Sequence, residues 1–201
     1  MKLNYIGWTF FILFAVSIGL YPLLYFIIDM SGGLLSSKTE SVLHNKIWNT
    51  AFYTHISFGG LSLLTGWSQF SKWLRNKNLL HRWLGKIYLI SVLMSGSAGL
   101  YIAFYATGGM VSSLGFGSLA IAWLTTTTIA YISIRQLQIE KHQQWMIRSF
   151  ALAFAAVTLR LWIPSFQVLT NMEFVSSYKI IAWLCWTPNL VVSEWIIRRV
   201  K

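Results

Sequence analysis

The sequence predicts an all-α, polytopic membrane protein with six transmembrane helices, and its composition and patterning lead to that class. Apolar residues make up 56% of the 201 residues and charged residues only 10%, whereas a soluble domain carries about 25% charged residues. The apolar residues form long continuous runs without the alternation of β-barrel strands. Each run reaches the roughly 20 residues that a helix needs to cross about 30 Å of hydrocarbon.

The predicted spans are helical because lipid offers no partner to free backbone N–H and C=O groups. In chain order they cover residues 6–28, 47–70, 84–107, 111–134, 146–168 and 178–197. The third link is short and contains Gly108 and Gly109, so the spans on either side of it should be antiparallel neighbours. We therefore expect residues 1–201 to form a single transmembrane domain.

The expected orientation follows from the basic residues, which give the chain a formal net charge of +11. They cluster in the second link, the fourth link and the C-terminal tail, at Lys72, Arg75, Lys77, Arg82, Lys86, Arg135, Lys141, Arg148, Arg198, Arg199 and Lys201. By the positive-inside rule, both termini and these two links should face the cytoplasm. Anionic lipid headgroups are the expected counter-charge. A nucleic-acid partner is not expected, because short basic loops beside a bilayer account for the charge.

Tryptophans are expected at the two membrane interfaces, where their amphipathic rings anchor helices. Trp48 and Trp162 fall near the predicted outer ends of their spans. Four more fall near the inner ends, namely Trp73, Trp83, Trp145 and Trp195. We expect all six to be interfacial anchors.

The second and fourth links resemble each other. Residues 75–86 read R-N-K-N-L-L-H-R-W-L-G-K and residues 135–148 read R-Q-L-Q-I-E-K-H-Q-Q-W-M-I-R, so each link contains a histidine, then a tryptophan and a basic residue. One interpretation is a duplicated hairpin, in which spans 2–5 form a four-helix core of parallel repeats flanked by spans 1 and 6. The alternative is chance similarity between short basic turns.

Small residues form a stripe on each of two neighbouring spans. His55, Gly59, Ser62 and Gly66 share one face of span 2 at helical spacing. Span 3 carries a similar stripe of Ser95, Gly99 and Ala103. Such stripes indicate close helix packing. The alternative is a slot for a flat cofactor beside the histidine.

Arg160 and His55 are candidate site residues, because polar and charged groups inside spans are costly and often functional. By helical rise, Arg160 lies roughly 20 Å along span 5 from the inner end, and His55 lies roughly 12 Å along span 2 from the outer end. In hydrocarbon about 30 Å thick these depths nearly match. We therefore expect both side chains to line one cavity in the outer half of the membrane. The alternative for Arg160 is snorkelling to the outer surface beside Trp162.

His81 and His142 occupy equivalent positions in the repeated links and are candidate axial ligands of a haem b iron. Arg82, Lys86 and Arg148 would pair with the haem propionates. The alternative is that both are ordinary interfacial histidines. A divalent metal ion is a less favourable ligand for this pair, because two histidines without neighbouring carboxylates make an incomplete site. His55 would hold a second haem only if another ligand came from elsewhere.

Three segments resemble a bacterial family of multipass membrane proteins catalogued as "domain of unknown function 2306". They are H-R-W-L-G-K-I-Y at 81–88, H-Q-Q-W-M-I-R-S-F-A-L at 142–152 and T-L-R-L-W at 158–162. The resemblance implies a membrane location and no established activity. The H-R-W-L-G run is also similar to the start of a haem-binding helix in cytochrome b561-type proteins, although this chain lacks their four-histidine set.

Two functional hypotheses remain open. The first is a haem b-binding protein for electron transfer or haem handling that uses His81 and His142. The second is a non-enzymatic accessory or scaffold subunit of a larger membrane assembly, because so small a chain has few ways to act alone. No catalytic residues are predicted, since five acidic residues provide little for acid–base catalysis. Whether the protein is an enzyme stays open, and transport ranks third.

Overall fold

The computed structural model of the protein describes residues 5–27 and 35–200, without the side chains of Lys72 and Val200. The regular structure of these residues is helical, and it is organised as six long helical segments. In chain order these are α1 (Tyr5–Ile27), α2 (Lys46–Gly66), α3 (Asn78–Ala103), α4 (Met110–Arg135), α5 (Ile139–Leu169) and α6 (Phe174–Arg199). Short helical turns lie in the links, at Leu35–Ser37, Glu40–Leu43, Trp67–Phe70 and Lys72–Arg75.

Five of these segments are long and apolar enough to cross a membrane, namely α1, α3, α4, α5 and α6. The prediction of an all-helical, multipass membrane protein is therefore confirmed. The segment α2 has 21 residues, but polar side chains such as Asn49, Thr54 and His55 lower its hydropathy. It packs against α1 on one side and α3 on the other. Polar side chains of α2 can therefore contact the neighbouring helices rather than lipid, which offers them no hydrogen-bond partner.

The two helices whose starts differ most from the prediction are α3 and α5, and both differences concern the candidate histidines. The predicted spans 3 and 5 start at residues 84 and 146, whereas α3 starts at Asn78 and α5 starts at Ile139. His81 and His142 therefore lie in the first helical turns rather than in non-helical links. The physical reason is that hydrocarbon thickness limits the apolar run, while the helix itself continues among polar headgroups. Each histidine is the fourth residue of its helix, which preserves their equivalence.

Three of the segments are interrupted, and α6 shows how such a break is stabilised. In α5 the helix breaks at Phe154, and in α6 it breaks after Leu184. The backbone carbonyl of Cys185, at the α6 break, accepts hydrogen bonds from the Thr158 hydroxyl and from Asn189 Nδ2. Because Thr158 belongs to α5, this polar contact joins the two helices at their breaks. The interruption in α1 is a 3-10 turn at Tyr21–Leu23 that contains Pro22, a residue without an N–H donor.

The core of the bundle is apolar with one buried polar chain. Its buried cluster draws residues from α1 to α5, namely Ala15, Leu63, Tyr88, Val92, Trp123, Phe150, Leu152, Ala153 and Val157. Within it the Ser149 hydroxyl hydrogen-bonds to Tyr88 Oη at 2.7 Å and to Thr127 Oγ1 at 2.6 Å. This chain of three hydroxyls connects α3, α4 and α5, which satisfies polar groups that burial would otherwise penalise.

The helices α1 and α2 approach each other closely at Gly19 and Gly60. A Cβ atom at Gly60 would collide with the Gly19 carbonyl oxygen and would lie 3.0 Å from Pro22 Cγ. The backbones therefore touch at a point where only glycine fits. By contrast, a Cβ atom at Gly117 on α4 would meet nothing within 4 Å.

We predict that Gly60→Ala lowers the thermal unfolding midpoint in detergent, because the added methyl group must push α1 away from α2. Gly117→Ala is the matched control, and it should leave the midpoint unchanged or raise it, since alanine favours a helix over glycine by about 1 kcal/mol. Equal midpoints for the two variants would contradict the close approach of α1 and α2.

Candidate functional site

All six helices contribute to a cavity of about 220 Å³, which we call the central cavity. Its walls include one or more residues from each helix, among them Pro22, His55, Gly99, Phe116, Arg160 and Tyr178. It lies in the half of the bundle opposite the basic end, which we define by Arg75, Lys77, Arg82, Lys86, Arg135, Arg148, Arg198 and Arg199. The structure thus brings Arg160 and His55 into the wall of the same cavity.

Small residues of α2 and α3 make room for the His55 imidazole. A Cβ atom on Gly99 would lie 2.8 Å from His55 Nδ1 and 3.0 Å from its Cε1. A Cβ atom on Gly59 would lie 3.2 Å from the Ser95 hydroxyl. The stripes that indicate helix packing therefore have a second consequence. They pack α2 against α3 and also leave space for the ring.

The hydrogen bonds of His55 define its tautomer. Its Nδ1 lies 2.9 Å from the Ser95 carbonyl oxygen, which can only accept, so Nδ1 carries the proton in the neutral ring. The Ser95 hydroxyl donates to the His55 carbonyl oxygen at 2.9 Å and lies 3.2 Å from Nδ1. His55 Nε2 has no hydrogen-bond partner among the described residues. The cavity wall therefore contains an imidazole whose second nitrogen is an acceptor.

Arg160 is a cation inside the bundle, and no acidic residue among those that the structure describes pairs with it. Its side chain is partly buried, Nη1 donates to the Ala156 carbonyl oxygen at 2.9 Å, and Cζ lies 4.6 Å from the centre of the Tyr21 ring. Tyr25 and Tyr178 are also within electrostatic range. In the described part of the chain, the ion pairs are His44 with Glu40 and Arg148 with Glu194. Neither involves Arg160, so the described residues offer its guanidinium the Tyr21 ring and the Ala156 carbonyl but no carboxylate.

A second cation, Lys38, lines the same cavity, and no pattern in the sequence indicates it. Lys38 belongs to the first link, and its Nζ donates to the Tyr105 carbonyl oxygen at 2.5 Å. The neighbouring Ser37 hydroxyl lies 2.8 Å from Thr107 Oγ1. Burial lowers the pKa of the Lys38 ammonium group. These contacts hold the first link against the third at the end of the cavity.

His81 and His142 come together at the basic end, away from the central cavity. His142 Nδ1 lies 2.8 Å from the Ala130 carbonyl oxygen of α4, which leaves its Nε2 as the free nitrogen. His81 Nδ1 is buried, and it has no hydrogen-bond partner within the described ranges of the chain. The two rings are close enough for His142 to act electrostatically on His81. Across the described residues, no group of three or more His, Cys, Asp or Glu side chains could hold a metal ion.

The two arginines predicted to pair with propionates differ in their surroundings. Arg148 donates from Nε to Glu194 Oε1 at 2.5 Å and from Nη2 to Oε2 at 2.9 Å. This two-bond pair joins α5 to α6 and already uses the planar fork of the guanidinium. Arg82 is exposed. Arg148 therefore already has a carboxylate partner, whereas the described residues provide none for Arg82.

Tryptophans at the basic end are paired with cations. Basic groups lie over the rings of Trp73, Trp83, Trp145 and Trp195 at 3.9, 5.0, 4.5 and 3.7 Å, supplied by Lys77, Lys86, Arg148 and Arg199. Such pairs suit an interface where rings meet headgroups. Trp48 differs from the prediction, because it is 2% exposed and lines the central cavity.

A family model described as "Predicted membrane protein (DUF2306)" matches residues 52–197. The chain belongs to this family. The matched region includes His55 and Arg160 of the cavity and His81 and His142 of the basic end, whereas Lys38 precedes it. No curated protein and no solved structure matches the chain. The family description supplies a membrane location and no activity, so the central cavity is the main indication of function.

Proposed function

We propose that this integral membrane protein binds an amphiphile in its central cavity, with Arg160 holding the anionic head. The observation that carries the proposal is a guanidinium inside the bundle that pairs with no acidic residue in the described part of the chain. A charge at this depth costs about 2.5–3.5 kcal/mol on insertion scales, and such groups are normally paired. A bound anion would supply the missing counter-charge.

The chemistry of the wall supports this class of ligand. A guanidinium has five N–H donors in a planar fork that matches carboxylate and phosphate oxygens, and Arg160 uses Nη1 on the Ala156 carbonyl. The remaining wall is mostly apolar, with side chains such as Phe52, Phe116 and Leu159. A head with negative charge and an apolar body would match both parts.

We predict that Arg160→Leu removes a co-purifying anionic amphiphile while leaving the yield of membrane-inserted protein unchanged or higher. The yield should not fall because the substitution removes a charge from the hydrocarbon region. The measurement is mass spectrometry of organic extracts from purified protein. Arg199→Leu is the matched control, since Arg199 lies over Trp195 at the basic end. Equal amounts of every anionic amphiphile in both variants would argue against the proposal.

We further propose that α2 is the sixth span and that the basic end faces the cytoplasm and anionic lipid headgroups of a bacterial inner membrane. Support comes from charge. At this end the basic residues of the second link, the fourth link and the C-terminal helix outnumber the acidic residues, which in the described part of the chain are Glu140 and Glu194. Four of them lie over tryptophan rings. The positive-inside rule assigns such an end to the cytoplasm.

Cysteine accessibility tests this orientation. In a Cys185→Ser background, a cysteine at Asn76 should react with a membrane-impermeant maleimide only after cells are permeabilised. A cysteine at Lys46, at the opposite end of α2, is the control and should react on intact cells. Labelling of position 76 on intact cells would reverse the orientation.

A second candidate function is haem b binding between His81 and His142. The favouring observation is that the Ala130 carbonyl fixes His142 Nδ1, because a histidine ligand is usually oriented by a bond on its other nitrogen. His81 and His142 would be the axial ligands, with Arg82 exposed nearby for a propionate. Bound haem would supply one-electron redox chemistry. The accessory-subunit hypothesis stays a prediction. Exposed apolar faces would be covered equally well by lipid or by a partner protein, so they do not favour either one.

For the haem candidate, we predict a Soret band that shifts when dithionite is added to protein expressed with ample haem. His142→Phe should abolish the band, while His44→Phe, in the first link, should not. Protein that is folded and shows no Soret band under these conditions would exclude this candidate.

A further inference from the structure

We propose that the head group carries an O–H donor beside its negative charge, and that His55 Nε2 accepts that hydrogen bond. The proposal rests on the proposed anion site at Arg160 and specifies the chemical class of its ligand. That class comprises hydroxy acids and phospholipids whose headgroup contains a hydroxyl.

The tautomer of His55 is the first step. The Ser95 carbonyl oxygen, 2.9 Å from Nδ1, offers only lone pairs and therefore requires the proton on Nδ1. In the neutral ring the lone pair is then on Nε2. A ring flip would exchange the two nitrogens, but it would lose the contact with the Ser95 carbonyl.

The position of the ring is the second step. Gly99 faces the imidazole so closely that a Cβ atom there would lie 2.8 Å from Nδ1. The Ser95 hydroxyl, which donates to the His55 carbonyl oxygen at 2.9 Å, adds a second contact between α2 and α3. The ring is thus confined on the α3 side. In the described residues nothing bonds to Nε2, although the side chain lines the cavity.

The combination with Arg160 is the third step. His55 and Arg160 line one cavity and lie within electrostatic range of each other. One offers N–H donors with positive charge, and the other offers an acceptor. A head consisting only of acceptor oxygens satisfies Arg160 but places a lone pair against Nε2. A head with an adjacent hydroxyl satisfies both, and buried polar groups are strongly favoured to find partners.

Two matched pairs of probes test the proposal at pH 7, with the protein in phosphatidylcholine nanodiscs. The first pair is 2-hydroxydecanoate and decanoate, and the second is short-chain phosphatidylglycerol and phosphatidylpropanol. Within each pair the charge and the number of carbon atoms are equal, and only the hydroxyl groups differ. We expect the hydroxylated member of at least one pair to bind about tenfold more tightly, as one hydrogen bond to a buried acceptor implies. The pair that shows the preference identifies the source as a free acid or a lipid.

His55→Phe should reduce the preference to about onefold while the hydroxyl-free probe still binds, and His44→Phe should leave the preference intact. If His55→Phe binds neither probe, Gly99→Ala serves instead, because its methyl group displaces the ring without changing its chemistry, and it should also reduce the preference. No preference in either pair with the unaltered protein would overturn this inference, as would a preference that survives both substitutions. Unchanged binding of all probes to Arg160→Leu would instead overturn the proposed function.

Discussion

The Arg160 guanidinium lies among apolar side chains and tyrosine rings, and the arrangement around it depends on how that charge is accommodated. One Nη1 bond to the Ala156 carbonyl and the face of the Tyr21 ring are its contacts within the described chain. Both stabilise a cation weakly compared with a carboxylate. The neighbouring helices do not fill the space beside it, and the central cavity results. A bound anion would complete this arrangement, which is why Arg160 is central to the functional proposal.

The two ends of the bundle use positive charge differently. At the basic end, lysines and arginines lie over exposed tryptophan rings, and Arg148 has a carboxylate partner in Glu194. These groups can reach water and headgroups. Around the central cavity, by contrast, Arg160 and Lys38 are partly buried, and neither has a carboxylate partner among residues 5–27 and 35–200. The first kind of charge orients a membrane protein, whereas the second kind is typical of a binding site.

Much of this organisation could be predicted from the sequence. Continuous apolar runs indicated the helices, and helical rise alone placed His55 and Arg160 at matching depth. Other features depend on tertiary contacts that periodicity does not contain. Lys38 reaches the cavity because the first link folds against Tyr105, and Trp48 is buried in the cavity wall rather than at an interface. The start of α3 at Asn78 could not be predicted from hydropathy, because a helix does not end where hydrocarbon ends.

A structure of the protein extracted from its native membrane with its bound lipids would test the central claim most directly. The account predicts non-protein density in the central cavity, within hydrogen-bond distance of the Arg160 guanidinium, that continues as an apolar tail between the helices. A guanidinium that is bonded only to protein groups or water, in a cavity without such density, would contradict it.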